Sequence, residues 1–412
     1  MFIKVGFQVL PRGHARIAFK VLNKMCLIER TPSVNQRRTL TWRQFNDEIN
    51  KVANYLSKDL GIKDGDFVMH LQNNSLEWLI TYYGIIKIGA VVVPLNFRFV
   101  GADILYAAKI SNPKAFIIGS EFLTVVQPVQ KDLKTVRQYI CVGESVPDDM
   151  IDYRTLAASS DTSEAIIDVV GHHDLAMMFT SGTTGDPKPV LHTHDSLNNT
   201  AVGNGMSYFV EKNDNYVFFL PLYHSGTMFL WAPFYATGAV GTILREFNDP
   251  KWIIEAIAEE KGTDVLFVVP IAVAILNAVA NGDINLDDYD LTSWRYMEIG
   301  AQPVPFDVMK RLVETLPCGV SNIYGITEGG GGGLFAGALL PRDLIPGGNI
   351  ISAATSTRWA FEAFVRISGI GEDVVNDPCW QLSKDERDEL SQEDKDRLGC
   401  RCMGVHMFDQ CY

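Results

Sequence analysis

The sequence predicts an α/β protein: a large N-terminal domain of parallel sheets covered by helices over 1–333, then a tail of different texture over 334–412. Three observations predict it. Helical and strand-like patterns alternate through the first two-thirds of the chain, a rhythm that implies crossover units and sheets buried on both faces. Five consecutive glycines, Gly329–Gly333, mark a change of texture. Beyond them lie four of the seven cysteines, and 372–397 carries ten acidic residues against four basic ones.

Each element has its own signal. Phe45, Ile49, Val52, Ala53, Leu56 and Leu60 fall on one helical face, and Gly61 is placed to stop that helix. Asp64-Gly65 turns the chain into an apolar run, Phe67–Leu71. Asn74-Ser75-Leu76-Glu77 has the spacing of a helix N-terminus, predicting a helix to about Lys87. A strand follows at Val91–Leu95, a helix near Ala102–Ser111 and a strand at Ala115–Ile118. Leu175–Phe179, Tyr216–Leu220 and Val265–Val269 read as strands, the last ended by Pro270 before a helix. Arg295–Ile299 precedes a helix whose expected apolar face is Phe306, Met309, Leu312, Val313 and Leu316; Val320–Tyr324 is the next strand. Ser383-Lys384-Asp385-Glu386 and Ser391-Gln392-Glu393-Asp394 resemble the starts of two short, solvated helices.

Composition narrows the function. The chain has 412 residues, 47% hydrophobic and 21% charged, with 36 basic and 49 acidic side chains and a net charge of −13. That balance argues against a broad nucleic-acid-binding face. Seven cysteines in so long a chain form no dense disulfide framework, which points to a reducing, cytoplasmic setting. Met1–Lys20 contains no secretory apolar core, being interrupted by Lys4, Pro11, Arg12 and Arg16. Val217–Leu244 has no Asp, Glu, Lys or Arg, but Pro221, His224, Ser225, Pro233 and three glycines divide it into two buried elements rather than an integral membrane span. Tyr208, Phe209, Phe218 and Phe219 are expected in the core, and His172-His173 in solvent.

The strongest chemical signal is Phe179-Thr180-Ser181-Gly182-Thr183-Thr184-Gly185-Asp186-Pro187-Lys188-Pro189-Val190. Glycines let backbone amides close around an anion, the hydroxyls add donors and Lys188 supplies a charge for phosphate. It is not a Walker A loop, because Pro187 and Pro189 flank the lysine. A second constellation lies at two strand ends: Gly300-Ala301-Gln302-Pro303 and Tyr324-Gly325-Ile326-Thr327-Glu328. The intervening helix makes these strands parallel, so both tips share the carboxyl edge where open α/β sheets bind ligands. Gly300 and Ala301 leave room for a flat base, Tyr324 offers a stacking face, and Glu328 is a hard oxygen ligand for Mg²⁺ beside a triphosphate.

These strings, with Pro221-Leu222-Tyr223-His224, resemble four motifs of the adenylate-forming superfamily: acyl-CoA synthetases, luciferases and adenylation domains of nonribosomal peptide synthesis. The resemblance runs from about Lys24 to Gly333, the family's large N-terminal domain, with Pro189 replacing a usual glycine. It implies that Thr180, Ser181, Gly182, Thr183, Thr184, Gly185 and Lys188 hold the phosphates of ATP. Gly300, Ala301, Gln302, Pro303, Tyr324 and Gly325 would frame adenine, and Thr327 would touch the α-phosphate. Glu328 with Thr180 would hold Mg²⁺; His224, Gly329 and Gly330 would border the acid. The implied reaction converts a carboxylic acid, fatty or otherwise hydrophobic, and ATP to an acyl-adenylate, whose acyl group then passes to coenzyme A.

After Glu328 the family has a ribose-binding Thr-Gly-Asp segment, a hinge and a C-terminal domain with a catalytic lysine; none of these strings occurs in Leu334–Tyr412. The expectation is impaired thioester formation, with a non-catalytic nucleotide- or acyl-binding protein as the rival. Ala354–Glu362 and Asp377–Trp380 instead resemble, weakly, a soluble segment of some ATP-binding-cassette transporters, which would make the chain a fusion and raises a membrane-associated fragment as a third reading. Cys400, Cys402, His406 and Cys411 lack paired zinc-site spacing.

Overall fold

The computed structural model describes residues 22–158, 161–165, 169–180, 187–323, 325 and 327, and beyond them 378, 382, 386 and 390–399. Strands β1 (Met25–Thr31) and β2 (Gln36–Thr41) form an antiparallel hairpin. No apolar run announces β2, whose sequence is Gln36-Arg37-Arg38-Thr39-Leu40-Thr41 and whose side chains are exposed or half-buried. Thr41 then caps the helix Trp42–Asn54 reciprocally with Gln44, and a π-helical turn, Tyr55–Asp59, extends it. Its buried face includes Phe45, Ile49, Val52, Ala53 and Leu56, and Gly61 follows at φ +66°.

The chain next builds a second sheet from β3 (Phe67–Leu71), β4 (Val91–Pro94), β5 (Ala115–Gly119), β6 (Gln138–Val142), β7 (Ile151–Asp152), β8 (Asp174–Phe179) and β9 (Pro189–Thr193). It returns to the first sheet with β10 (Asn215–Phe218), β11 (Val240–Leu244), β12 (Asp264–Val268), β13 (Tyr296–Gly300) and β14 (Gly319–Asn322). The strand orders are β14-β13-β12-β10-β11-β1-β2 and β7-β6-β5-β3-β4-β8-β9. All pairings are parallel except β1–β2 and β8–β9. The sheets are thus mostly parallel, with one antiparallel strand closing an edge of each. Links 32–35 and 180–188 are too short for the crossover that a parallel pair needs.

Helices fill the space between the sheets and cover their outer faces. The central core joins the helices Trp42–Asn54, Leu76–Lys87, His194–Ser207 and Ser225–Thr237 to the inner faces of both sheets. Ser75 caps Leu76–Lys87 by accepting from the Trp78 N–H at 3.0 Å, and that helix is buried nearly all round. A second cluster packs Pro250–Glu260, Val269–Asn281 and Phe306–Thr315 on the outer face of the first sheet; a third covers the second sheet. Val217–Leu244 contains β10, a helix and β11, and among the described residues no helix is long and apolar enough to cross a membrane.

Two expectations of burial change. In Phe306–Thr315 the buried row is Val308 and Leu312, continued by Leu316, while Phe306 and Val313 are 84% and 60% exposed. Rows four apart meet the neighbouring helix Val269–Asn281, and the row through Phe306 and Val313 faces away from it. Phe209 is 72% exposed at φ +51°, because Tyr208 takes the inward position at the end of its helix. By contact pattern the chain divides into units 1–333 and 334–412. In the second, Ser391 caps Gln392–Leu398 by accepting from the Asp394 N–H. The transporter-like strings, apart from Pro378, and the Cys400–Cys411 group lie outside the described residues.

Candidate active site

The carboxyl ends of strands from the two sheets meet. Asn74, just after β3, reaches the segment after β10. Its Nδ2 donates to Leu220 O at 2.9 Å and its Oδ1 accepts from the Leu222 N–H at 2.9 Å. The Phe97 ring, after β4, meets Tyr223 edge-on at 5.5 Å, and Phe99 meets Phe179 at the end of β8 at 6.3 Å. A continuous line of contacts therefore runs from Phe179 through the loop after β4 to Tyr223 and His224.

His224 is the N-cap of Ser225–Thr237, with its Nδ1 accepting from the Gly226 N–H at 3.2 Å. Part of the ring is open to solvent, yet the protein around it desolvates the imidazole and lowers its pKa. A neutral ring with Nδ1 as acceptor carries its proton on Nε2, so Nε2–H is free to donate. Burial pushes the neighbouring Tyr223 hydroxyl up to about 12, against the opposing influence of Arg98.

Thr180 and Lys188 tie the ends of the Gly- and hydroxyl-rich loop. The Thr180 N–H donates to Lys188 O at 2.9 Å, and the Lys188 N–H donates to Thr180 Oγ1 at 3.3 Å. The loop thus connects antiparallel strands rather than a strand and a helix, with Pro189 as the first residue of β9, opposite Phe179. Lys188 is exposed. Ser181, Gly182, Thr183, Thr184 and Gly185 lie outside the described residues.

The tips of β13 and β14 lie side by side, with the Ile323 N–H donating to Ile299 O at 2.8 Å. A Cβ on Gly300 would come within 2.5 Å of Ile323 O, so the close approach requires glycine. Ala301 is held at φ +65°, and it, Gln302 and Pro303 are exposed beyond the strand. Gly325 is exposed and Thr327 half-buried. Tyr324, Glu328, Gly329 and Gly330 are outside the described residues, and among the described residues no three His, Cys, Asp or Glu side chains gather as a metal site.

Three residues were not singled out by sequence patterns. Asn74 carried only a local helix-start signal. Arg98, exposed with its guanidinium 5.7 Å from the Phe97 ring centre, carried none. Glu298 interrupts an otherwise apolar strand, and that polar break is the signal that could have found it. A surface cavity of about 410 Å³ lined by Gln127, Lys131, Lys134 and Tyr139 contains none of the site residues.

The AMP-binding enzyme family matches residues 18–352. The chain is 29% identical over 351 residues to the long-chain-fatty-acid–CoA ligase FadD13 of Mycobacterium tuberculosis, covering 84% of this chain and 66% of the relative. It is 27% identical over 318 residues to 4-coumarate–CoA ligase 3 of Arabidopsis thaliana, covering 75% and 54%. The chain therefore spans less than two-thirds of these relatives' lengths. The inhibitor-bound N-terminal domain of FACL13 from Mycobacterium tuberculosis superposes with a TM-score of 0.66 at 28% identity, over 77% of this chain and 75% of that one. The anthranilate CoA ligase AuaEII with anthranoyl-AMP shares the fold, with a TM-score of 0.68 at 23% identity over 76% and 59%.

Proposed function

The chain belongs to the family of AMP-binding enzymes, and from that premise we propose that it activates a carboxylic acid with ATP, giving an acyl-adenylate en route to an acyl-CoA. The observation that carries this reading is the junction of the two sheets' carboxyl ends through Asn74 and the Phe97–Tyr223 contact. Along that line of contacts lie His224 and the ends of the Thr180–Lys188 loop, and the same carboxyl edge of the first sheet carries Gly300 at the end of β13, which supports the reading.

In this reading a substrate carboxylate oxygen attacks the α-phosphorus, a new P–O bond forms, and the bond to pyrophosphate breaks. The step needs in-line positioning and charge neutralisation more than a base. Ser181–Gly185 amides and hydroxyls, with Thr180 and Lys188, take the phosphates, while Gly300–Pro303, Tyr324 and Gly325 take adenine. Thr327 would bind the α-phosphate, Glu328 with Thr180 would hold the Mg²⁺ that arrives with ATP and neutralises phosphate charge, and Gly329 and Gly330 would border the acyl group. His224 donates from Nε2 to the acid's carboxylate, because a neutral ring whose Nδ1 already accepts a bond is a donor there and not a proton acceptor. Coenzyme A is the thiol that takes the acyl group in the second half-reaction. Buried free thiols at Cys26 and Cys141 accord with a cytoplasmic enzyme.

The test is ATP–pyrophosphate exchange over a panel of carboxylic acids. We expect acid-dependent exchange, reduced about 10²-fold in His224→Ala. ATP binding without exchange for any acid would instead identify a nucleotide-binding protein with no adenylating activity.

A further inference from the structure

Glu298 sits in the middle of β13, is 2% exposed, and its Oε2 has no hydrogen-bond partner. A buried polar atom left in this state costs about 1–3 kcal/mol, so its retention calls for a reason. Its place in the fold supplies one. Glu298 is in register with Leu266 of β12 and shares its face, the one turned toward the central helices. A Cβ on Gly226 would lie 3.9 Å from Leu266 and 3.3 Å from His224 Nδ1. The first turn of Ser225–Thr237 therefore connects His224 to the strand face that carries Glu298. The Tyr208 hydroxyl is a second buried polar group without a partner; its ring and that of Tyr216 lie close enough to feel the Glu298 carboxyl. Glu298 is also two residues below Gly300, about 7 Å from the strand tip at ~3.3 Å per residue.

We propose that Glu298, with Tyr208, forms the polar far end of the acid pocket and selects a short carboxylic acid bearing a hydroxyl group remote from its carboxylate. This rests on the acid-activating reading above and adds the substrate class. The nearby guanidinium of Arg295 is engaged by Asp214 at 2.6 Å and Asp264 at 3.4 Å. Burial, reinforced by Asp264, raises the Glu298 pKa well above the usual carboxylate range, which favours the protonated, neutral carboxyl. A neutral carboxyl and a phenol both donate and accept, which suits an uncharged hydroxyl; an alkyl tail would leave both unsatisfied.

The test measures binding of matched acids to the full chain by calorimetry, with exchange measured in parallel. The pairs are 3-phenylpropanoic acid with and without a para hydroxyl, and hexanoic acid with and without a 6-hydroxyl; 6-aminohexanoic acid provides a charged arm. We expect at least one hydroxylated member to bind about tenfold or more tightly than its parent, a preference abolished in Glu298→Leu and partly kept in Glu298→Gln. Thermal unfolding of both variants establishes that they fold, and Tyr208→Phe supplies a second route to the same loss. Equal binding within both pairs, or a preference unchanged in Glu298→Leu, overturns the assignment while leaving acid activation intact. Preference for the ammonium compound overturns the choice of a neutral hydroxyl. Acid binding without exchange sinks the activation reading alone; failure of all the acids to bind sinks both.

Discussion

Two strands of the same sheet bury a glutamate, and they treat it in opposite ways. Glu29 on β1 is 1% exposed and fully engaged: Arg38 Nε and Nη2 each donate to it at 2.8 Å, and so does the Leu76 N–H. Arg38 also grips Glu77 at 2.6 and 2.8 Å, tying the β1–β2 hairpin to the start of Leu76–Lys87. Glu298 on β13 is equally buried, with a free oxygen. Burial alone therefore does not separate a structural charge from a functional one; the partner list does. The β1 end is closed by protein–protein bonds, and the β13 end, with its strained Ala301 and exposed tip, is left for a ligand.

Removing each carboxylate should break the comparison most sharply. Glu29→Ala takes away two of Arg38's four bonds to carboxylates and strands the buried Leu76 N–H, and we expect a loss of about 3 kcal/mol in denaturant unfolding. Glu298→Leu removes a buried oxygen that has no partner, so its unfolding free energy should stay level or rise; a loss as large as that of Glu29→Ala would mean that Glu298 is structural. Asn74→Ala is expected to cost about 1–3 kcal/mol, since the Leu222 N–H and Leu220 carbonyl lose a buried partner. It should also lower acid-dependent exchange more than ATP binding, because the segment released carries His224. The smallest effect belongs to Ala301→Gly: relieving φ +65° should stabilise by up to about 1 kcal/mol, measured as a shift in Tm.

Much of this was legible locally. Phe67–Leu71 and Leu76–Lys87 follow from an apolar run and a serine cap, signals held within a few residues. The glycine- and hydroxyl-rich string from Thr180 to Lys188 stood out in the sequence by its composition, and the structure ties its two ends together through the Thr180 and Lys188 hydrogen bonds. The β1–β2 hairpin was not, because β2 is polar and held by Arg38 bonds to Glu77, thirty-nine positions away. Asn74 reads as part of a helix start, and nothing nearby shows that its amide grips a backbone 148 residues on. For Phe306–Thr315 the periodicity fixes a helix, while the choice between two apolar rows belongs to the neighbour it packs against.

The central claim is that ATP and an acid meet where the carboxyl ends of the two sheets join. The most direct measurement is a crystal structure of the chain with an acyl-sulfamoyl adenosine, a stable mimic of the acyl-adenylate. The account predicts adenine against Gly300–Pro303, the sulfamate between Thr327 and the Thr180–Lys188 loop, and the acyl group running past His224 toward Glu298. Density for the compound away from these strand ends, or an acyl group directed away from β13, would contradict it.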